Sequence, residues 1–203
     1  MGATRGGRTV RAIIAGGALL VVVPGSGEAQ MEQPTPEQMQ AMMAAMQPGP
    51  EHERLAQLVG EWDAEIAFSF VPGQTQTLRA KLVGRTILGG RFVTLEMASP
   101  ESLMGIPIEG MTIHGYDRRT GEHTILGLDT FGTYYVEGAG KGDASTNPIV
   151  MRGSHHDPVM DRDEVYDFVV RFVDADTWES EVVFITPDGE RFTAMKTIAR
   201  RSQ

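Results

Sequence analysis

The most restrictive feature of this sequence is a change of periodicity at Gly60, after which apolar and polar residues alternate with a period of two. That period matches a β-strand with one buried face, because successive side chains of a strand point to opposite sides. No amphipathic segment of helical period interrupts the strand-like runs that follow. In the first run the apolar positions are Trp62, Ala64, Ile66, Phe68 and Phe70.

Further strand-like runs follow the first, and short segments of turn chemistry separate them. Glycine pairs, an Asp-Gly dipeptide and mixed Gly, Asn and Pro segments stand between the runs, and these residues tolerate the backbone angles of tight turns. About ten antiparallel strands in chain order predict an all-β protein, an up-and-down antiparallel β-barrel of lipocalin-like type. A sandwich of two sheets is the alternative. The later runs are LRAKLVGRTIL, RFVTLEMA, IEGMTIHGYD, EHTILGLDT, TYYVEGAG, PIVMRGSH, EVYDFVVRFVD, TWESEVVFIT and RFTAMKTIAR.

The first 29 residues are predicted to be a cleaved signal peptide. Three arginines precede the apolar run Ala12–Val23, which is too short to span a bilayer. Gly27 and Ala29 are the small residues that a signal peptidase reads, and no cysteine stands at the cleavage point to carry a lipid. We therefore expect a periplasmic or secreted protein.

Composition limits the partners that this chain can have. It contains no cysteine, so disulfides cannot stabilise it in an oxidising compartment. Its formal net charge is −9, and removing the leader, with three arginines and one glutamate, makes the charge −11. We expect no binding to nucleic acid and no stable membrane insertion. The predicted parts are a signal peptide at 1–29, a Met/Pro-rich linker and helix at 30–50, and one barrel domain at 51–203.

Four methionines fall within eight residues before the barrel. Met39, Met42, Met43 and Met46 are spaced as one face of a helix, which we predict over residues 36–47. Thioether sulfurs are soft ligands for Cu(I), but no cysteine and only one histidine lie nearby. The same spacing describes any apolar stripe. We interpret it as a flexible hydrophobic face that docks on the barrel rim or on a partner.

Five segments in chain order carry a family resemblance. They are PGPEHERLAQLVGEW at 48–62, GGRF at 89–92, MGIPIEGMTIHGYD at 104–117, LDTFGT at 128–133 and PDGERFTAMKTIARR at 187–201. The set resembles the bacterial domain of unknown function 1579 family, and its Gly-Glu-Trp resembles the opening motif of lipocalin-like, or calycin-like, barrels. The resemblance implies a small barrel and brings no agreed catalytic residues. Family members usually carry a tryptophan where this chain has Gly127, which implies a roomier or differently shaped pocket.

The same resemblance implies a structural role for Trp62. In lipocalin-like barrels this tryptophan lies near the closed end, where an arginine of the last strand can stack on its ring. Arg200 or Arg201 is placed to do so, and we assign Trp62 and Arg200 to barrel closure. Such a cation–π contact contributes roughly 0.5–2 kcal/mol.

The histidines do not form a recognisable metal motif. His155 and His156 are adjacent and would point to opposite faces of a regular strand, so they cannot both enter one pocket. The acidic segment after them has the spacing of neither an EF-hand nor a zinc site. Haem held by one histidine is a minor alternative, since the glycines that follow the tryptophan in haem-binding barrels are missing. We predict no metal and no cofactor.

An enzyme is one alternative function. Glu96, His114 and Asp129 are ionisable residues on otherwise apolar strands, and a carboxylate beside an imidazole in a dry barrel can perform acid–base chemistry. The competing interpretation is that Asp129 binds backbone amides at a strand end. No nucleophile motif or phosphate loop accompanies the three residues.

We favour an exported barrel that carries or sequesters a small apolar or amphipathic ligand, because a barrel of this size has room for one ligand. The predicted ligand-binding residues are Phe68, His114, Asp129 and Tyr134. Further candidates for the wall are Phe92, Ile113 and Phe184. A third alternative is an interaction module that works through the Met-rich helix and has a barrel filled by its own side chains.

Overall fold

The alternating runs form ten antiparallel strands, each hydrogen-bonded to the next, and the first also pairs with the last. The computed structural model describes residues 33–71 and 73–203, with only the backbone at 70 and 71. The predicted barrel is confirmed and the sandwich is excluded. The strands are β1 (Gly60–Val71), β2 (Gln74–Ile87), β3 (Phe92–Leu103), β4 (Ile106–Asp117), β5 (Glu122–Asp129), β6 (Val136–Lys141), β7 (Ile149–Asp157), β8 (Arg162–Phe172), β9 (Thr177–Ile185) and β10 (Arg191–Arg201).

Three short helical elements precede the barrel in the described chain. They are α1 (Pro36–Ala45), α2 (Pro50–Leu55) and the 3₁₀ helix η1 (Ala56–Leu58). None of the three is long and apolar enough to cross a bilayer. The predicted signal peptide at 1–29 lies outside the described residues, as do residues 30–32 and the side chain at position 70.

The methionine face of α1 does not pack on the barrel. The helix buries none of its residues. Its methionines Met39, Met42 and Met43, and Met46 one residue beyond its end, are 47–55% exposed. Arg91 and Arg118, from turns of the barrel, hold the end of α1 by donating hydrogen bonds to the carbonyl oxygens of Met46 and Ala44. Cations at a helix C-terminus also complement its dipole.

One end of the barrel is closed by α2 and η1. Leu55 and Leu58 are buried there, and the guanidinium of Arg54 lies 4.3 Å from the ring centroid of Phe172. A Cβ atom on Gly84 would stand 2.0 Å from the carbonyl oxygen of Leu58, so the close approach of η1 requires glycine at this position. We call this the closed end, and we call the opposite end, where β1 connects to β2 and β9 to β10, the mouth.

Trp62 and Arg201 join the first and last strands of the barrel at the closed end. Trp62 is 1% exposed, and its Nε1–H donates a 2.9 Å hydrogen bond to the carbonyl oxygen of Leu58. The guanidinium carbon of Arg201 lies 4.2 Å from the Trp62 ring centroid. Arg201 also donates hydrogen bonds to the carbonyl oxygens of Val59 and Ala175. One side chain therefore connects the first strand, the entry to it and the turn between β8 and β9.

The prediction that Arg200 stacks on Trp62 is wrong, because Arg201 makes this contact. In the register of β1 and β10, Arg201 stands opposite Trp62, whereas Arg200 stands opposite Asp63. Trp62 faces the interior, so Asp63 and its partner face outward. Successive residues of a strand point to opposite faces, so a shift of one position exchanges the two arginines.

The closure contact yields a stability prediction. Replacing Trp62 by alanine removes a buried ring and its hydrogen bond, and we expect a loss of about 3–5 kcal/mol in the free energy of unfolding. Arg201→Gln should cost about 0.5–2 kcal/mol through the lost cation–π contact. Arg200→Gln, which makes the same change of charge one residue away, should stay within about 0.5 kcal/mol. Urea unfolding followed by circular dichroism measures all three, and equal losses for the two arginine variants would contradict a role for the ring contact.

Candidate functional site: a cavity inside the barrel

The barrel encloses a cavity of about 910 Å³. It runs from Leu58 and Trp178 near the closed end to Phe131 and Tyr134 at the mouth, and most of its lining is apolar. This volume is at the upper end of the 300–1,000 Å³ typical of small-molecule sites. The interior is therefore open to a ligand and is not filled by side chains of the barrel.

His114 is a buried ionisable group of the cavity wall. It is 4% exposed, and its Nε2 atom shares a 3.0 Å hydrogen bond with Oγ1 of Thr112, which also lines the cavity. Burial, with a smaller contribution from nearby His123, lowers the pKa of His114 to about 4. The imidazole is therefore neutral at pH 7 and offers a ligand hydrogen bonding without charge.

Asp129 and Tyr134 lie at the mouth. Asp129 is exposed, and its Oδ1 atom accepts a 2.8 Å hydrogen bond from the backbone N–H of Phe131. This is the amide contact at a strand end that the non-catalytic interpretation predicts. Tyr134 is also exposed, with its ring centroid 6.1 Å from that of His155. Both residues line the cavity, so an exposed carboxylate stands at the mouth, whereas the polar groups in the depth, such as Thr112 and His114, are uncharged.

Phe68 and Phe184 supply aromatic surface to the cavity wall. Phe68 is buried, and its ring centroid lies 6.0 Å from that of Phe131. The prediction that Phe92 and Ile113 form part of the wall is wrong, because neither residue lines the cavity. Phe92 lies at the closed end of β3, and Ile113 alternates with two residues that face inward.

The three ionisable residues of the enzyme hypothesis are not brought together. Glu96 lies on the outer face, where its carboxylate accepts a 2.9 Å hydrogen bond from Arg85. His114 faces the interior and Asp129 lies at the exposed mouth. The outward orientation follows from the position of Glu96 between the inward-facing residues Leu95 and Met97. The prediction that these three residues could form one acid–base site is therefore wrong.

The adjacent histidines of β7 separate as strand alternation predicts. His155 is half-buried and lines the cavity, whereas His156 is outside it and 2.9 Å from Oδ1 of Asp163. No group of three or more metal-ligating His, Cys, Asp or Glu residues occurs within the part of the chain that the structure describes.

A second group of rings lies at the closed end, away from the cavity lining. The ring centroids of Tyr116 and His123 are 4.8 Å apart, and those of Tyr116 and His52 are 6.1 Å apart. His52 accepts a hydrogen bond from the N–H of Gly49, and the Nε2 atom of His123 lies 3.4 Å from the carbonyl oxygen of Asp143. Burial lowers the pKa of both histidines. We assign this group to packing of α2 against the barrel.

Several cavity residues were not singled out from the sequence. Tyr166, Phe168 and Val182 face inward on β8 and β9 and form much of one wall. The sequence pattern that could have identified them is the period of two along these strands, which places alternate residues on the same inner face as the buried residues of the neighbouring strands. Gly127 also lines the cavity, where a Cβ atom would stand 3.2 Å from the side chain of Val136. A larger residue at this position would occupy part of the space that the cavity now has.

Comparison with known proteins identifies a family and a fold. A family model described as a protein of unknown function, DUF1579, matches residues 47–201. The crystal structure of Rv2717c from M. tuberculosis is similar over 77% of this chain and 100% of that chain, with 13% sequence identity and a TM-score of 0.54. That likeness extends to the fold alone. No curated protein matches this chain.

Two further solved structures have TM-scores too low to bear on the fold. One is a redesigned β-barrel that is 9% identical, with 74% of this chain and 96% of that chain covered and a TM-score of 0.41. The other is a DUF3598-family protein from Nostoc punctiforme, also 9% identical, with 77% and 100% covered and a TM-score of 0.22.

The lowered pKa of His114 predicts a loss of stability in weak acid. Below pH 6.5 the unfolded chain binds a proton at this histidine, and the folded chain does not until the pH approaches 4. The free energy of unfolding should therefore fall between pH 6.5 and 4, by about 3 kcal/mol from this group. His114→Gln should flatten this slope in urea unfolding series across the window.

A matched control separates titration from simple destabilisation. Ile125 is buried and stands directly opposite His114 in the register of β4 and β5. Ile125→Val should lower stability by about 0.5–1.5 kcal/mol at every pH and leave the slope unchanged. An unchanged slope in His114→Gln would contradict the assignment of the acid response to this imidazole.

Proposed function

This chain belongs to the DUF1579 family, and we propose that it binds one small apolar or amphipathic molecule inside its barrel and carries or sequesters it. The observation that carries this proposal is the cavity of about 910 Å³ with largely apolar walls. A preformed cavity of this kind loses little conformational entropy when it binds a ligand. The proposed role is binding and not a reaction.

The hydrophobic effect supplies the affinity in this proposal. Each Å² of apolar ligand surface removed from water contributes about 25 cal/mol. The inward faces of β1, β8 and β9 offer such surface through Phe68, Phe168 and Val182. Hydrogen bonds then orient the ligand, with Thr112 and His114 in the depth of the cavity and Asp129 and Tyr134 at the mouth. The predicted ligand-binding residues thus line the same cavity, and their contact with a ligand stays a prediction.

The site of action follows from the predicted leader. If residues 1–29 direct export, the barrel carries an apolar molecule through an aqueous periplasm or the medium. We propose this location on the sequence of the leader alone. The cavity argues against the alternative in which a filled barrel leaves only the methionine face as a working surface.

The proposal predicts saturable binding of a neutral apolar fluorophore. N-phenyl-1-naphthylamine should bind with one molecule per barrel, and its emission should rise as it leaves water. Val182 faces the cavity from β9, so Val182→Trp should fill part of the cavity and largely abolish binding. Fluorescence titration measures the affinity, and native mass spectrometry without detergent measures the stoichiometry.

The matched control places the same bulk outside the barrel. Glu179 is on β9 and outside the cavity lining, so Glu179→Trp should retain the affinity of the parent protein. Equal losses in the two variants would indicate binding at an outer surface. A parent protein without saturable binding would make the proposed function wrong.

A further inference from the structure

The ionisable side chains around the cavity are predominantly acidic. Apart from histidines, the lining contains five carboxylates and two guanidinium groups. Glu181 alternates with the inward-facing Ser180 and Val182 and pairs with Lys196 on the outer face, and Asp163 likewise pairs with the outward-facing His156. The other five lie on strand ends or turns at the mouth. The acidic residues are Asp129, Asp163, Glu164, Glu181 and Glu190, and the basic residues are Arg162 and Arg191.

Both guanidinium groups of the lining are already paired with carboxylates. Arg162 donates a 2.8 Å hydrogen bond to Oε1 of Glu164. Arg191 lies 3.0 Å from Oδ2 of Asp167, a carboxylate that is only 2% exposed and that also pairs with Arg152. These guanidinium groups lower the pKa of Asp167, so its carboxylate stays ionised and retains them. Neither arginine of the lining is thus an unpaired cation for an anionic ligand.

Two carboxylates of the mouth have no such partner. Within residues 33–71 and 73–203, Asp129 and Glu190 form no ion pair. The Oδ1 atom of Asp129 accepts the N–H of Phe131, a contact that leaves the negative charge uncompensated. Unpaired charges beside a low-dielectric cavity act on a ligand more strongly than charges in open water. The potential at the mouth therefore favours positive charge.

Aromatic rings occupy the same end of the cavity. The ring centroids of Tyr134 and His155 are 6.1 Å apart, those of His155 and Tyr166 are 5.6 Å apart, and those of Tyr166 and Phe184 are 5.9 Å apart. All four rings line the cavity. The negative face of a tyrosine or phenylalanine ring attracts ammonium groups, and most strongly where water is excluded, so Tyr134, Tyr166 and Phe184 contribute this attraction. Rings and carboxylates thus favour the same sign of charge.

We propose that the cavity takes an amphiphile with a cationic head group, such as a quaternary ammonium, with the head at the mouth and the apolar tail toward the closed end. The cavity provides the site, and the rings and unpaired carboxylates of the mouth select the head group. Deeper in the cavity the polar lining residues are uncharged, so the tail meets no fixed charge. This inference rests on the proposed function and narrows its ligand class.

Three amphiphiles with the same alkyl chain test the head group. Dodecyltrimethylammonium, dodecanol and dodecanoate are each used below their micelle concentrations to displace N-phenyl-1-naphthylamine from the full-length protein at neutral pH. The cation should bind at least about tenfold more tightly than the carboxylate, with the alcohol between them. Added salt should weaken binding of the cation and leave the alcohol unchanged.

A pair of matched variants tests the position of the head group. Asp129→Asn retains an acceptor for the Phe131 amide and removes the charge, so it should lower the affinity for the cation several-fold and spare dodecanol. Asp174 makes the same contact with a backbone N–H two residues ahead, to Asp176, but lies in the turn at the closed end and outside the cavity lining. Asp174→Asn should change neither affinity.

The outcomes separate this inference from the proposed function. A fluorophore that binds while the carboxylate or the alcohol competes as well as the cation overturns the cationic head group and leaves carriage standing. Equal effects of the two aspartate variants would show that net charge and not the mouth attracts the cation, which also overturns the inference. A fluorophore that does not bind at all overturns both.

Discussion

The contact of Arg201 with Trp62 is the interaction on which the rest of this structure depends. A barrel closes only if its first and last strands pair, and here those strands carry the two partners of a cation–π contact between an exposed guanidinium and a buried ring. Arg201 also donates hydrogen bonds to the carbonyl oxygens of Val59 and Ala175, so the same side chain stabilises both the closure of the sheet and the closure of the barrel end. A cavity sealed at that end can exchange its contents only through the mouth. The chemistry of the mouth therefore decides which molecules enter.

Small residues allow the sealed end to form without filling the barrel. Gly84 lets η1 approach β2 so closely that a Cβ atom would overlap the carbonyl oxygen of Leu58. The backbone of η1 therefore lies directly on β2, and Leu55, Leu58 and Trp62 fill the closed end while space remains toward the mouth. Gly127 lies in the cavity wall, and because it has no side chain, it leaves the adjacent cavity volume unoccupied. Gly127 therefore lies where a side chain would change the cavity, and the expectation of a roomier or differently shaped pocket than in other family members stays a prediction.

The sequence predicts the architecture well and the site only in part, for physical reasons that particular residues show. The period of two is a local property, so it identifies the strands and correctly places Phe68 inside. Register is not local, and an error of one residue between Arg200 and Arg201 exchanges the outer and inner faces. The alternation of Glu96 with the inward-facing Leu95 and Met97 places its carboxylate on the outer face, so a charged residue on an apolar strand is not evidence of a buried site. Tyr134 belongs to the run predicted as a strand from Thr133, but β6 begins only at Val136. Tyr134 therefore lies in the connection from β5 to β6, where strand alternation does not set the direction of its side chain.

The polarity of the cavity follows from where water is excluded. In the depth, burial makes ionisation so costly that His114 is neutral, and the imidazole shares its hydrogen with Thr112 or accepts one from it. At the mouth, solvent lowers that cost, so Asp129 can remain exposed beside aromatic surface. A ligand that matches both regions must be apolar at one end and polar at the other. The cavity is neutral in its depth and acidic at its mouth, and this difference would fix the direction in which a cationic ligand binds. A ligand bound in the reverse direction would bury its charge beside Leu58 and Trp178 without a compensating partner.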